Sequence, residues 1–146
     1  MGMVNAHVDI SRGLDGEPVV LACFDLSGDE LAASAHAVNA VAERFRDLEL
    51  SVDEVLELRE LTALADELSA QSLDPGMRTV VLRPARLTVY RDALARFVET
   101  RDEAEWVRDE DRAALAGVRA LLFPLEDLCR EALHAALTGA HAPGPC

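Results

Sequence analysis

Apolar positions along this chain fall into two rhythms, short unbroken runs and longer repeats spaced by three and four. The first unbroken run is Pro18-Val19-Val20-Leu21-Ala22-Cys23-Phe24, rich in β-formers and read as a buried strand. Thr79-Val80-Val81-Leu82-Arg83-Pro84 is a second, stopped by proline. The other rhythm predicts helices. Ser27 followed by Glu30 is a capping-box pattern, opening a helix over 28–47 with Leu31, Ala35, Val38, Ala42 and Phe45 on one stripe. Ser51 and Glu54 repeat the pattern and open a helix to about Ala70, with Val55, Leu58, Leu61, Leu64, Ala65 and Leu68 inward. It ends at the turn sequence Leu73-Asp74-Pro75-Gly76. A third helix starts near Leu87 or Thr88 and presents Leu87, Tyr90, Leu94 and Phe97.

Beyond the charged stretch 99–112 the stripe resumes as Leu115, Val118, Leu122, Leu125, Cys129, Ala132 and Ala136. This register passes through Pro124, whose ring should clash with the carbonyl of Ala120 and interrupt a helix. An unbroken register favours one long kinked helix over 110–138, with two helices meeting at Pro124 as the alternative. The spacing of Asp102 and Glu105 also suggests a cap opening a short helix that carries Trp106, with Asp109 as a cap for the final helix. Residues 1–17 and 139–146 lack such patterns and read as tails, leaving 18–138 as one globular helical domain. The expected fold is α+β and predominantly helical: four to five helices on a minimal two-stranded sheet. An all-α bundle is the alternative. Val19–Ser27 and Val80–Thr88 share V-V-L-x-x-x-x-L-[S/T], which suggests a βαα unit used twice.

Composition narrows the chemistry more than it names it. The 146 residues are half hydrophobic but only 4% aromatic, so the core must be Leu, Val and Ala packed by closely approaching helices. There are 27 acidic residues against 14 basic ones, a net charge of −13, and all 14 basic residues are Arg. Without lysine there is no Schiff base and no phosphate-loop amine. Arginine stays protonated, so it can hold an anion but cannot act as a base. The negative balance argues against direct nucleic-acid binding and against docking on anionic membranes. No apolar stretch approaches the roughly 20 residues that span a bilayer, and no signal peptide is evident. Three cysteines without CxxC spacing suggest a cytoplasmic protein with reduced thiols, Cys23 and Cys129 serving as small buried residues.

Catalytic signatures are lacking. Glu131-x-x-His134 occurs once, where a di-metal bundle needs two such motifs and two further Glu. There is no G-x-S-x-G, no phosphate loop and no H-E-x-x-H, so neither cofactor nor metal site is expected, and His7 and His141 fall in the tails. The arginines from Arg78 to Arg101 do not align on one helical face, which suits pairing with acids on neighbouring helices. The densest feature is Trp106 among Asp102, Glu103, Glu105, Asp109, Glu110 and Asp111. It reads as an interaction patch, a lone Trp anchor ringed by acids that select a basic protein partner.

The leading expectation is therefore a non-enzymatic protein-interaction or regulatory module. Alternatives are a small-ligand binder or enzyme with a pocket between helices, drawing on Tyr90, His36 and arginines, or an acidic mimic of nucleic acid that occupies a DNA-binding protein. Exposed strand edges would allow a homodimer.

Overall fold

The structure, a computed structural model, describes residues 3–46, 49–72, 76–102 and 107–138. Three strands and four helices occur among them: β1 (Val4–Arg12), β2 (Pro18–Ser27), α1 (Gly28–Arg46), α2 (Val52–Ser72), β3 (Met77–Leu82), α3 (Pro84–Asp102) and α4 (Asp109–Thr138). The fold is α+β and predominantly helical, but its sheet has three strands rather than two. The added strand is β1, from the segment expected to be a tail. It hydrogen-bonds to β2 in an antiparallel hairpin, with Arg12 opposite Pro18 and His7 opposite Cys23. Val4, Ala6, Val8 and Ile10 alternate with polar residues, but every β1 residue is exposed or half-buried, so the alternation marks no deeply buried face. In its turn the Gly13 N–H donates to the Glu17 carbonyl and the Gly16 N–H to the Gly13 carbonyl, and Gly16 takes the left-handed φ of +82°.

Strand β2 is central, pairing antiparallel with β3 on its other edge, Ala22 opposite Leu82 and Phe24 opposite Val80. Alternation then sorts its side chains. Ala22, Phe24 and Leu26 are fully buried in the helical core, joined by Val80 and Leu82 of β3. Leu21, Cys23 and Asp25 point to the opposite face, where His7, Asp9, Thr79 and Val81 are their cross-strand neighbours.

Both expected capping boxes form. Ser27 Oγ accepts from the Glu30 backbone N–H at 3.2 Å, while Glu30 Oε1 accepts from that of Ser27 at 2.9 Å. Ser51 and Glu54 do the same at 3.3 and 3.2 Å. Helix α3 begins at Pro84, before the sequence pattern would place it, because proline at a first helical position gives up an N–H that has no intrahelical partner anyway. Helix α4 is continuous through Pro124, in keeping with its unbroken stripe.

The predicted inward residues of α3 are all buried, as are Leu31, Ala35, Val38 and Ala42 of α1 and Leu61, Leu64, Ala65 and Leu68 of α2. Helices α1, α3 and α4 cover the sheet, and α2 packs chiefly on α1 and α3. Gly117 lets α4 approach α1 closely: a Cβ there would lie 3.2 Å from Ala33 Cβ. No helix among the described residues is long and apolar enough to cross a membrane.

The order strand–helix–helix does occur twice, and the two strands pair, but the V-V-L match does not superpose equivalent positions. Cys23–Ser27 continue β2, whereas their counterparts Pro84–Thr88 already lie in α3. The shared pattern reflects what any buried strand feeding a helix requires, and duplication is not supported.

Candidate functional site

The apolar stripes of α1 and α3 bring together a cluster that the linear pattern does not display. At the junction of α1, α3 and the first turn of α4, His36 Nε2 lies 2.6 Å from Asp111 Oδ1. Arg101 Nε donates to Asp111 Oδ2 at 2.8 Å. Phe97 lies between these partners: the His36 ring meets its edge at a 5.9 Å centroid distance, and the Arg101 guanidinium sits over its face at 4.9 Å. Asp111 is buried, with only 8% of its surface exposed. Burial works to raise its pKa, but the hydrogen bonds and charges of His36 and Arg101 outweigh it and hold the carboxyl below the ordinary range. Its place in the first turn of α4 adds the favourable end of the helix dipole.

Beside this junction runs a cleft of about 260 Å³ between α1 and α3. Its apolar wall is Ala40, Val41, Phe45 and Phe97, and its polar rim is Arg44, Arg96, Glu99, Thr100 and Arg101. Arg96 is held by Glu57 of α2 at 3.0 Å and stacks over the Phe45 ring at 5.7 Å. Arg101 also donates from Nη1 to Thr100 Oγ1 at 3.2 Å. A guanidinium has five N–H donors, so Arg96 and Arg101 keep donors to spare after these contacts. Arg44 is exposed and engages no acceptor among the described residues. In a chain of net charge −13, this cleft concentrates three cations around two aromatic rings.

The other arginines of α3 serve the packing. Arg86 bridges to Glu60 at 2.8 Å and Glu67 at 3.7 Å on α2, while Arg91 pairs with its neighbour Asp92. Pairing across helices was expected and holds for Arg86, Arg96 and Arg101.

The predicted acidic patch is divided. Glu103, Glu105 and Trp106 lie outside the described residues, as does the side chain of Asp102. Asp109 and Glu110 are exposed beside Val107, Arg108 and Arg112. Asp111, by contrast, is turned inward and spent on His36 and Arg101. Tyr90 is likewise unavailable to a ligand. It is fully buried, stacked against Phe24 at 6.1 Å and bonded to Ser34 Oγ at 2.5 Å, with burial pushing its pKa well up. Cys129 is in the core, its thiol directed at the Leu87 carbonyl at 3.7 Å and its pKa pushed up to about 11 by burial. Cys23 is buried too, but on the sheet face away from the helices.

That outer face carries a second grouping. His7, Asp9 and Cys23 each direct a ligand-type atom to within 4.8 Å of the others. Asp9 Oδ2 lies 3.6 Å from His7 Nε2 and 3.8 Å from Cys23 Sγ. The bond from Nδ1 to the Asn5 carbonyl, with lesser help from Asp9 and Asp25, raises the His7 pKa. Burial, then Asp9 and Asp25, raises that of Cys23. This grouping was not visible in sequence, because β1 itself was not. Searches against protein-family models, curated proteins and solved structures return no match to this chain.

Proposed function

We propose that this protein is a binding module whose α1–α3 cleft takes a small molecule with an anionic head and an apolar body. The observation that carries this reading is the pairing of Phe45 and Phe97 with Arg44, Arg96 and Arg101 around one cleft. Phe45 with Ala40 and Val41 supplies the apolar floor, backed by the buried Phe97, and the guanidinium groups match a carboxylate or phosphate in planar geometry. A volume of about 260 Å³ lies just below the usual range for ligand pockets, roughly 300–1,000 Å³, and suits a one- or two-ring compound. The Asp111 carboxylate orients Arg101 from behind, so the ligand would meet a side chain whose position is already set. The role as a module that reports ligand state to another protein extends this reading, with the exposed acids Asp109 and Glu110 beside the junction as part of the surface offered to that partner.

The test uses 2-naphthoate as probe and the neutral 2-naphthalenemethanol as control, followed by calorimetry and ligand-detected NMR. At about 0.3 kcal/mol per non-hydrogen atom, the probe's 13 or so atoms give roughly 4 kcal/mol, a Kd of about 1 mM. Arg44→Gln should weaken naphthoate binding about tenfold, the value of one charge-assisted hydrogen bond. The neutral alcohol should bind far more weakly than the acid. Equal binding of the two, or a naphthoate affinity untouched by Arg44→Gln and Arg96→Gln together, refutes the reading.

A further inference from the structure

We infer that His7, Asp9 and Cys23 form a binding site for a zinc-class divalent metal ion on the outer face of the sheet. The three residues come from two paired strands and supply nitrogen, oxygen and sulfur. That mixed donor set suits zinc and its first-row neighbours, and does not suit magnesium or calcium, which take oxygen alone. They are the one such group among the described residues.

Distances support the assignment. Zinc bonds of about 2.3 Å to sulfur and 2.0–2.1 Å to nitrogen and oxygen, at tetrahedral angles, put ligand atoms about 3.3–3.6 Å apart. Here the His7–Asp9 separation is 3.6 Å and the Cys23–Asp9 separation 3.8 Å, and all three atoms lie within 4.8 Å of one another. Small side-chain rotations close the set. A water molecule would complete the tetrahedron, since His7 and Asp9 are both more than half exposed.

The surroundings are also those of a ligand shell. His7 Nδ1–H donates to the Asn5 carbonyl at 2.8 Å. This leaves Nε2 as the lone-pair nitrogen of the neutral ring, directed toward Asp9. Asn5 has the single positive φ among described non-glycine residues, +55°, and sits where the register slips between Val4 and His7. Bulges of this kind re-aim a neighbouring side chain, and they persist where something repays the strain. The Asn5 amide also donates to Asp25 Oδ2 at 2.8 Å, and Thr79 Oγ1 donates to Oδ1 at 2.6 Å. Asp25 is thereby held on the same face as a further negative charge. On binding, the Cys23 thiol gives its proton to solvent and coordinates as thiolate, and any proton on His7 Nε2 leaves likewise.

The experiment titrates the full-length, untagged chain with Co²⁺ and then displaces it with Zn²⁺. One ion per chain should bind, with a thiolate-to-cobalt charge-transfer band and the strong visible bands of a tetrahedral site. Cys23→Ser should abolish the charge-transfer band, while Cys129→Ser and Cys146→Ser leave it intact. Asp9→Asn, at an exposed position where folding is not at issue, should weaken zinc by more than about 10-fold, the lower end of what second-shell changes alone cost. A band that survives Cys23→Ser, zinc affinity unchanged in Asp9→Asn, or the absence of stoichiometric cobalt binding overturns the assignment.

Discussion

Replacing Asp111 by alanine removes one acceptor from two donors at the point where α1, α3 and α4 meet. His36 Nε2 at 2.6 Å and Arg101 Nε at 2.8 Å both lose their partner. A hydrogen bond involving a charged group contributes about 1.5–3 kcal/mol, and an unpaired buried partner adds its own desolvation cost. The two donors do not remain equally stranded, however. The Arg101 side chain is 22% exposed and that of His36 37%, so water can partly replace the carboxylate at each. Together these place the loss at about 2–3 kcal/mol rather than the sum of two full bonds. For a chain of this size that is a fall in Tm of roughly 5–10 °C. Asp111→Asn keeps one oxygen but presents an NH₂ to the other donor, so its loss should be nearly as large.

Urea unfolding followed by circular dichroism measures both variants, with an unchanged m-value as the check that the unfolded state is the same. The pH dependence supplies a sharper criterion. The folded-state pKa of Asp111 is depressed below its unfolded value of about 3.9. Its contribution is therefore present in full above that value and disappears as the pH falls through the folded pKa. The gap between wild type and Asp111→Ala should close on acidification through that window. A loss below about 0.5 kcal/mol at neutral pH, or a gap that stays constant into acid, would refute the role assigned to this carboxylate.

Two packing predictions follow from α4. Gly117→Leu introduces a side chain where even a Cβ meets Ala33 Cβ at 3.2 Å, so it should cost about 1–3 kcal/mol in urea unfolding; a neutral result would mean that α1 and α4 pack less closely than described. Pro124→Ala restores the N–H that can bond to the Ala120 carbonyl in a helix already continuous there, and should stabilise by about 1–3 kcal/mol. Destabilisation instead would show that the backbone geometry imposed by Pro124 is built into the core.

How much of this could be read in advance depended on whether a residue's role was local. Both capping boxes, the continuity of α4 and the buried stripe Leu87–Tyr90–Leu94–Phe97 rest on spacing within one helix, and spacing is visible in sequence. Strand β1 was missed because its alternation of Val4, Ala6, Val8 and Ile10 is short and two glycines follow it, and because its order comes mainly from pairing with β2; eight of its nine residues are exposed. The same absence hid His7 among apparent tail residues. Asp111 shows the limit from the other side. In sequence it is one acid among many near Trp106, and only the arrival of α1 beside α4 makes it a buried partner for His36, 75 positions away. Phe45 was expected on the inward stripe of α1, yet it is half-buried, its ring covered by Arg96 and forming the wall of the cleft.

The two proposed sites make opposite demands on a chain with 27 acids and 14 arginines. A divalent cation approaching the sheet face moves down the field of the whole molecule, and Asp25 beside the ligands deepens it locally. An anion approaching the cleft moves against that field until it is within about a Debye length, near 8 Å in physiological salt, of Arg44 and its neighbours. Its retention must then come from directed donors, and this explains why the arginine geometry matters more than the count. Arg86 and Arg91 carry the same charge as Arg44 and contribute nothing there, because they lie away from the cleft and pair with Glu60, Glu67 and Asp92. Arg101 remains useful because Asp111 takes only one edge of its guanidinium and fixes the rest in place over Phe97. The buried carboxylate that offsets the Arg101 charge is also what aims it.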